Sequence, residues 1–378
     1  MAGGMELEDT RLYKKVYGCI MGAACGDALG ALVENMHYLD IEAQFGHVED
    51  LMPFVTPREG EHAPYEVIDK FDQEEPHSVV WETGGAWGAV PGTYTDDMRF
   101  RLLVLQAIVR KGGRIDGMDV ARTLMDYRLT AWGATRTPTY SWQPPEHPDI
   151  EKRWTPGIAS VDFIVAAGAR RKALWPDWGW DAPLGIVNAC RPDLAAEDGY
   201  VVAAAVAEAF RPGATYETVI QVAIEYAYTE VPLGRELAVR IEKALEVAGK
   251  CRDVYEFRAP YYARFLNSVN AFSVLETVPA ALALLYIARG DPQMAIVGAA
   301  NLGRDCDSSA CIAGEIAGAL AGSEALPAHW VQQVNVANPK PSLPEVARQV
   351  TETLLRMRDD ERARVDALTA LAGGQGGT

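Results

Sequence analysis

Positive charge is scarce in this sequence. Its 378 residues carry 35 Lys and Arg against 52 Asp and Glu, a formal net charge of −17. Phosphate backbones bind basic faces, so nucleic acid is not an expected partner. A small anionic substrate would need local positive charge, which metal ions can supply. Cysteine is sparse as well. Cys19, Cys25, Cys190, Cys251, Cys306 and Cys311 include no CxxC pair, which points to reduced thiols and a cytoplasmic protein. The six histidines show no zinc-ligand spacing. No serine occupies a G-x-S-x-G elbow. No uncharged apolar run of about 20 residues suggests a membrane span. The N-terminus lacks a basic region followed by an apolar run, so no secretory signal is expected. Strand-like alternation is weak, and strands alternating with helices, as a parallel sheet requires, are absent.

Helical periodicity fills the chain instead. Hydrophobic residues make up 49%, enough at this length for a large core. Residues 12–33 are apolar and rich in Gly and Ala, the pattern of a helix packed closely on its neighbours. Residues 98–109 are apolar on every face and read as a buried helix. Further helices are expected over 116–129, 158–174, 194–210, 215–228, 234–249, 270–289, 293–300, 308–321, 327–335 and 343–360. Two stretches, 47–94 and 133–157, are rich in turn residues and lack a period. Irregular segments this long are usually functional or disordered. Their aromatics argue against disorder, so both stretches are expected to form the walls of a binding site. The expectation is one all-α domain over 11–362, with flexible ends at 1–10 and 363–378.

Two acidic clusters carry the chemistry. In "GTYTDDMRF", residues 92–100, Thr95, Asp96 and Asp97 precede the buried helix. Capping and the helix dipole account for one carboxylate there. A second, facing inward, calls for a cation. In "GRDCDSSACIAGEIAGALAG", residues 303–322, Asp305, Asp307 and Ser308 precede a helix of small residues. If the two mouths meet, carboxylates and hydroxyls line one cavity. Such oxygen donors suit Mg²⁺, Mn²⁺ or Ca²⁺ rather than zinc, and two ions about 3.5–4 Å apart would fit.

Three stretches together resemble the ADP-ribosylglycohydrolase family: "GCIMGAACGDALGALVEN" at 18–35, "TDDM" at 95–98 and the 303–322 stretch. Weaker matches lie at 182–210 and 326–335, so the likeness spans roughly 11–360. The combination is specific although each motif alone is weak. The resemblance implies a compact, single-domain orthogonal all-α bundle. It also implies a centre of two Mg²⁺, with Mn²⁺ as the alternative. By motif position the ligands would be Thr95, Asp96, Asp97, Asp305, Asp307 and Ser308. Asp97, Asp307 and Glu34 would be the catalytic carboxylates. Glu34 matches an acidic residue that in some members gates the cleft and contacts metal or substrate. Asp27 and Gly303 would lie at the substrate, although a structural hydrogen-bonding role for Asp27 outweighs catalysis.

The implied reaction is hydrolysis of an ADP-ribosyl bond on a protein side chain such as arginine. A small nucleoside-type N- or O-riboside is the alternative substrate. A non-catalytic ADP-ribose-binding protein is the alternative function. Expected partners are thus ADP-ribose-type small molecules or ADP-ribosylated proteins. Many relatives carry a Thr-His or Ser-His motif in mid-chain, and "RPDLAAEDGYVVAAAV" runs on without it.

Overall fold

Glycine recurs at every fourth position of the first helix, at residues 18, 22, 26 and 30. The computed structural model shows what that spacing does. It describes residues 6–52, 91–116, 119–120, 122–123, 182–197, 201–229, 234–265 and 273–372. Among them are fourteen α-helices and no β-strand. The helices are α1 (Arg11–Gly30), α2 (Tyr38–Phe45), α3 (Asp96–Lys111), α4 (Pro183–Val187), α5 (Pro192–Glu197), α6 (Val201–Ala209) and α7 (Tyr216–Thr229). They continue with α8 (Gly234–Ala248), α9 (Val254–Phe265), α10 (Val274–Ile287), α11 (Pro292–Leu302), α12 (Cys306–Ala321), α13 (Ala328–Ala337) and α14 (Leu343–Ala372).

The central pair is α1 and α12. A methyl group on Gly22 would overlap the Gly314 carbonyl, and one on Gly314 would overlap the Gly22 carbonyl. Gly18 faces Gly318, Gly26 faces Ala310 and Gly30 faces Asp307 in the same way. Numbers rise along one helix as they fall along the other, so the pair is antiparallel and in backbone contact. Small residues at i, i+4 permit this because they share one helical face. The consequence is positional: the C-terminal end of α1 meets the N-terminal end of α12.

Charged side chains tie other helices to this pair. The Lys15 ammonium donates to Ala209 O (2.6 Å), Ala319 O (2.6 Å) and Leu320 O (3.0 Å). It thereby sits at the C-terminal ends of α6 and α12, where the helix dipole favours a cation. Buried Arg101 of α3 donates through Nε to Glu315 Oε2 of α12 (2.9 Å) and through Nη1 to Asp97 Oδ1 (3.1 Å). Two asparagines pin the irregular chain. The Asn301 side chain bonds both Val48 N–H (2.9 Å) and Val48 O (2.7 Å). The Asn338 amide donates to Gly92 O (2.8 Å).

The helical content matches the sequence pattern, with several differences. Helices α2, α4 and α9 fall where none was expected. The first two span only eight and five residues, too short to show a period. Helix α9 carries Pro260 inside it, a residue that reads as a breaker because it lacks an N–H. The expected helix 194–210 is described as α5 and α6, and 198–200 lie outside the described residues. Helix α14 runs through Ala372, past the expected end at 360 and into the stretch expected to be flexible. Its final turns are rich in Ala, Leu, Arg and Asp, of which the first three are strong helix formers. Of 116–129, residues 119–120 and 122–123 are described and helical. The expected helix 158–174, the loop 133–157 and most of 47–94 lie outside the described residues.

Two substitutions test this frame. Gly22→Ala is expected to destabilise the protein by ~1–3 kcal/mol or more through overpacking. Gly249→Ala, where the added carbon would meet Leu245 O at an ordinary 3.4 Å, should leave the melting temperature nearly unchanged. Arg101→Met strands Glu315 and Asp97 without their buried cation and should cost about 3–5 kcal/mol in urea titrations.

Candidate metal centre

The antiparallel α1/α12 contact brings the loop after α1 to the mouth of α12, and the N-terminus of α3 enters beside them. N-cap side chains ordinarily accept a helix N–H. Here the two N-cap residues do not. Thr95 stands at the N-cap of α3 and Asp305 at the N-cap of α12, and neither side chain accepts a capping hydrogen bond. The cap of α3 comes from another helix. Asp27 of α1 is completely buried. Its Oδ1 accepts from Thr95 N–H and Thr95 Oγ1–H, both at 2.8 Å, and its Oδ2 accepts from Met98 N–H at 2.8 Å. Asp27 therefore joins α1 to α3 through these bonds, with its side chain fully buried.

With capping done by Asp27, the acidic residues turn to one another. Thr95 Oγ1 lies 3.4 Å from Asp307 Oδ2, and Ser308 Oγ donates to Asp97 Oδ2 at 3.0 Å. Asp307 Oδ1 accepts from Ser308 N–H at 3.0 Å. Oxygens of Glu34, Asp305 and Asp307 all come within 4.8 Å of one another. Asp305 and Asp307 are buried and Glu34 is partly exposed. The Glu34 Oε1 also accepts from Asn35 Nδ2 at 2.9 Å. Asp305 Oδ2 is buried and has no hydrogen-bond partner.

The electrostatics follow from this crowding. Burial, then the charges of Asp97 and Glu34, push the Asp305 carboxyl well above its usual value. Burial and then Asp97 push Asp27 up to about 7, against the bonds from Thr95 and Met98. Burial raises Glu315 to about 7 even with Arg101 beside it. The pocket therefore carries more negative charge than its own cations offset. An orphaned buried carboxylate oxygen amid hydroxyl and carboxylate donors fits a hard divalent cation. Glu34, Asp305 and Asp307 could hold one.

Thus Thr95, Asp97, Asp305, Asp307, Ser308 and Glu34 lie in one cluster. Asp96 opens α3, and its side chain lies outside the described residues. Gly303 serves the backbone: at φ +77° it forms an antiparallel bridge with His37, and a side chain there would overlap Met36 O. Sequence reasoning missed Arg101, Glu315, Arg304 and Glu276. Two signals were available. Arg101 is four residues after Asp97, one helical turn away on the same face. Glu315 interrupts a helix otherwise built of small and apolar residues.

All six cysteines are unpaired. Among the described residues, no helix is long and apolar enough to cross a membrane. The uncharacterized protein YegU of Escherichia coli (strain K12) is 24% identical over 328 residues, covering 83% of this chain and 89% of that protein. A solved structure described as an ADP-ribosylglycohydrolase-related protein complex aligns with 91% of this chain and 99% of its own. Its identity is 16% and its TM-score 0.46. The family model for ADP-ribosylglycohydrolase matches residues 8–363, nearly the whole chain. The protein belongs to the ADP-ribosylglycohydrolase family.

Proposed function

We propose that the protein is a metal-dependent hydrolase of a ribosyl glycosidic bond, with an ADP-ribosylated side chain such as arginine as its substrate. Family membership supports the reaction class. The observation that carries the metal dependence is the buried Asp305 Oδ2 without a partner, on an N-cap residue whose side chain does not cap its helix. The proposed ligands are Thr95, Asp96, Asp97, Asp305, Asp307 and Ser308, with Glu34 at the rim. Two Mg²⁺, or Mn²⁺ in their place, would supply Lewis acidity toward ribose hydroxyls and water.

The chain's own residues have separable roles in this reading. Arg101 and Ser308 hold Asp97 from two sides, which fixes its orientation. Glu34 is partly exposed and so is placed to exchange a proton with solvent. Asp307 lies deeper, between Thr95 and Glu34, and is the carboxylate placed to receive a proton inside the pocket. Burial by α1, α3 and α12 keeps bulk water from screening these charges.

The substrate is tested by hydrolysis of ADP-ribosyl-arginine in Mg²⁺. Release of ADP-ribose is expected. No turnover there, with base released from nucleosides, would move the reading to a small riboside. Tight ADP-ribose binding that ignores chelation and Asp307→Ala would make the protein a non-catalytic binder.

The pocket's charge also predicts a pH dependence. A carboxyl held above its usual 3.8 is protonated more readily in the folded chain than in the unfolded one. Folding stability without metal should therefore fall as pH rises above that usual value. Asp305→Asn should raise the melting temperature of the metal-free protein, increasingly so at higher pH, and abolish the stabilisation by Mg²⁺. Cation binding must displace the proton. Calorimetry in buffers of different ionisation enthalpy should show proton release, with affinity rising as pH rises.

A further inference from the structure

Arg304 breaks a local rule. Its φ is +63°, a left-handed backbone that glycine adopts freely and other residues adopt at a cost of order 1 kcal/mol. It stands immediately before Asp305. Such a position is kept by a non-glycine residue only where its surroundings over-determine it.

Those surroundings come from three directions. Arg304 N–H donates to Met36 O at 2.8 Å, and Arg304 O accepts from Asn35 N–H at 2.7 Å. Both main-chain groups are thus tied to the loop that carries Glu34. The side chain reaches the first turn of α10. There the guanidinium meets Glu276 in a fork, Nε on Oε1 and Nη2 on Oε2, the latter at 3.0 Å. Glu276 is buried, and its carbonyl accepts from the buried Tyr261 hydroxyl at 2.6 Å, which fixes that end of the clamp. On the far side of Asp305, its carbonyl accepts from Ser309 Oγ at 2.9 Å and Ser309 N–H at 3.2 Å. A small cavity lined by Tyr261, Tyr262, Glu276, Arg304, Asp305 and Ser309 lies where these groups meet.

We propose that Arg304, clamped by Glu276, is the positioning residue of the metal centre: it locks the 303–305 turn so that the Asp305 carboxylate faces the cluster with Glu34 and Asp307. The inference rests on the metal-binding reading above. Arg304 does not itself act as a ligand. Its fork on Glu276 resists rotation in a way that a single ammonium contact would not. One residue thereby sets two ligands in register, Asp305 through its own backbone and Glu34 through Asn35 and Met36.

The sign of the effect separates positioning from charge. Removing a nearby cation by itself would tighten binding of a metal cation. Loss of the clamp loosens it. The test is Mn²⁺ calorimetry on the full chain, wild type against Arg304→Gly/Glu276→Gln and Arg304→Lys, each checked for thermal unfolding. The double variant removes both charges together, and glycine accepts the left-handed backbone. It should unfold as the wild type does and bind Mn²⁺ at least about tenfold more weakly, within the range seen for groups that orient metal ligands. Arg304→Lys keeps the charge without the fork and should fall between the two. If the double variant does not fold, the lysine variant decides alone. Mn²⁺ bound as tightly or more tightly by the folded variants overturns the role of Arg304 and leaves the metal centre standing. No Mn²⁺ binding by the wild type overturns both.

Discussion

The contact between the backbones of α1 and α12 is the constraint on which the rest depends. Without side chains at Gly22 and Gly314 the two helices approach until carbonyl meets Cα. That closeness sets the register and brings the end of one helix to the start of the other. Asp27 and Glu34 then lie beside Asp305 and Asp307. Asp27 in turn captures the N-terminus of α3, which delivers Thr95 and Asp97. A packing motif that contains no chemistry thus assembles the acidic pocket.

The pocket is electrostatically unfavourable as it stands. Buried carboxylates disfavour their charged forms, and here several are packed together with one guanidinium, Arg101, between Asp97 and Glu315. Core packing holds this arrangement in place, and perturbed carboxylates of this kind cluster at functional sites. Caps supplied from outside, by Asp27 for α3, release Thr95 for another role. Left-handed Arg304 and its clamp to Glu276 add a second departure from local preference at the same place. Departures from local rules that concentrate in one pocket are consistent with selection for binding geometry.

The helices with clear periods were legible in the sequence, because an apolar stripe of helical period needs only local pattern to be seen. Helices α2 and α4 were hidden by shortness and α9 by Pro260. The two acidic mouths were legible as pairs of carboxylates before apolar helices. Their meeting was not, because Asp305 lies 208 positions after Asp97 and only the glycine contact shows which ends are joined. The spacing of those glycines was visible, and its partner stripe at 310, 314 and 318 was visible too; the antiparallel match between them was the missing step. Asp27 shows the opposite limit. Its motif marked it as important, but only the three hydrogen bonds it accepts distinguish a cap from a substrate contact.

In the proposed function the acidic mouths of α3 and α12 hold divalent cations. Anomalous scattering from a crystal soaked in Mn²⁺ tests it most directly. Two peaks about 3.5–4 Å apart are expected, bounded by Thr95, Asp97, Asp305, Asp307 and Ser308 with Glu34 at the edge. A fully soaked crystal with no peak in that pocket, or with Mn²⁺ bound only elsewhere, would contradict it.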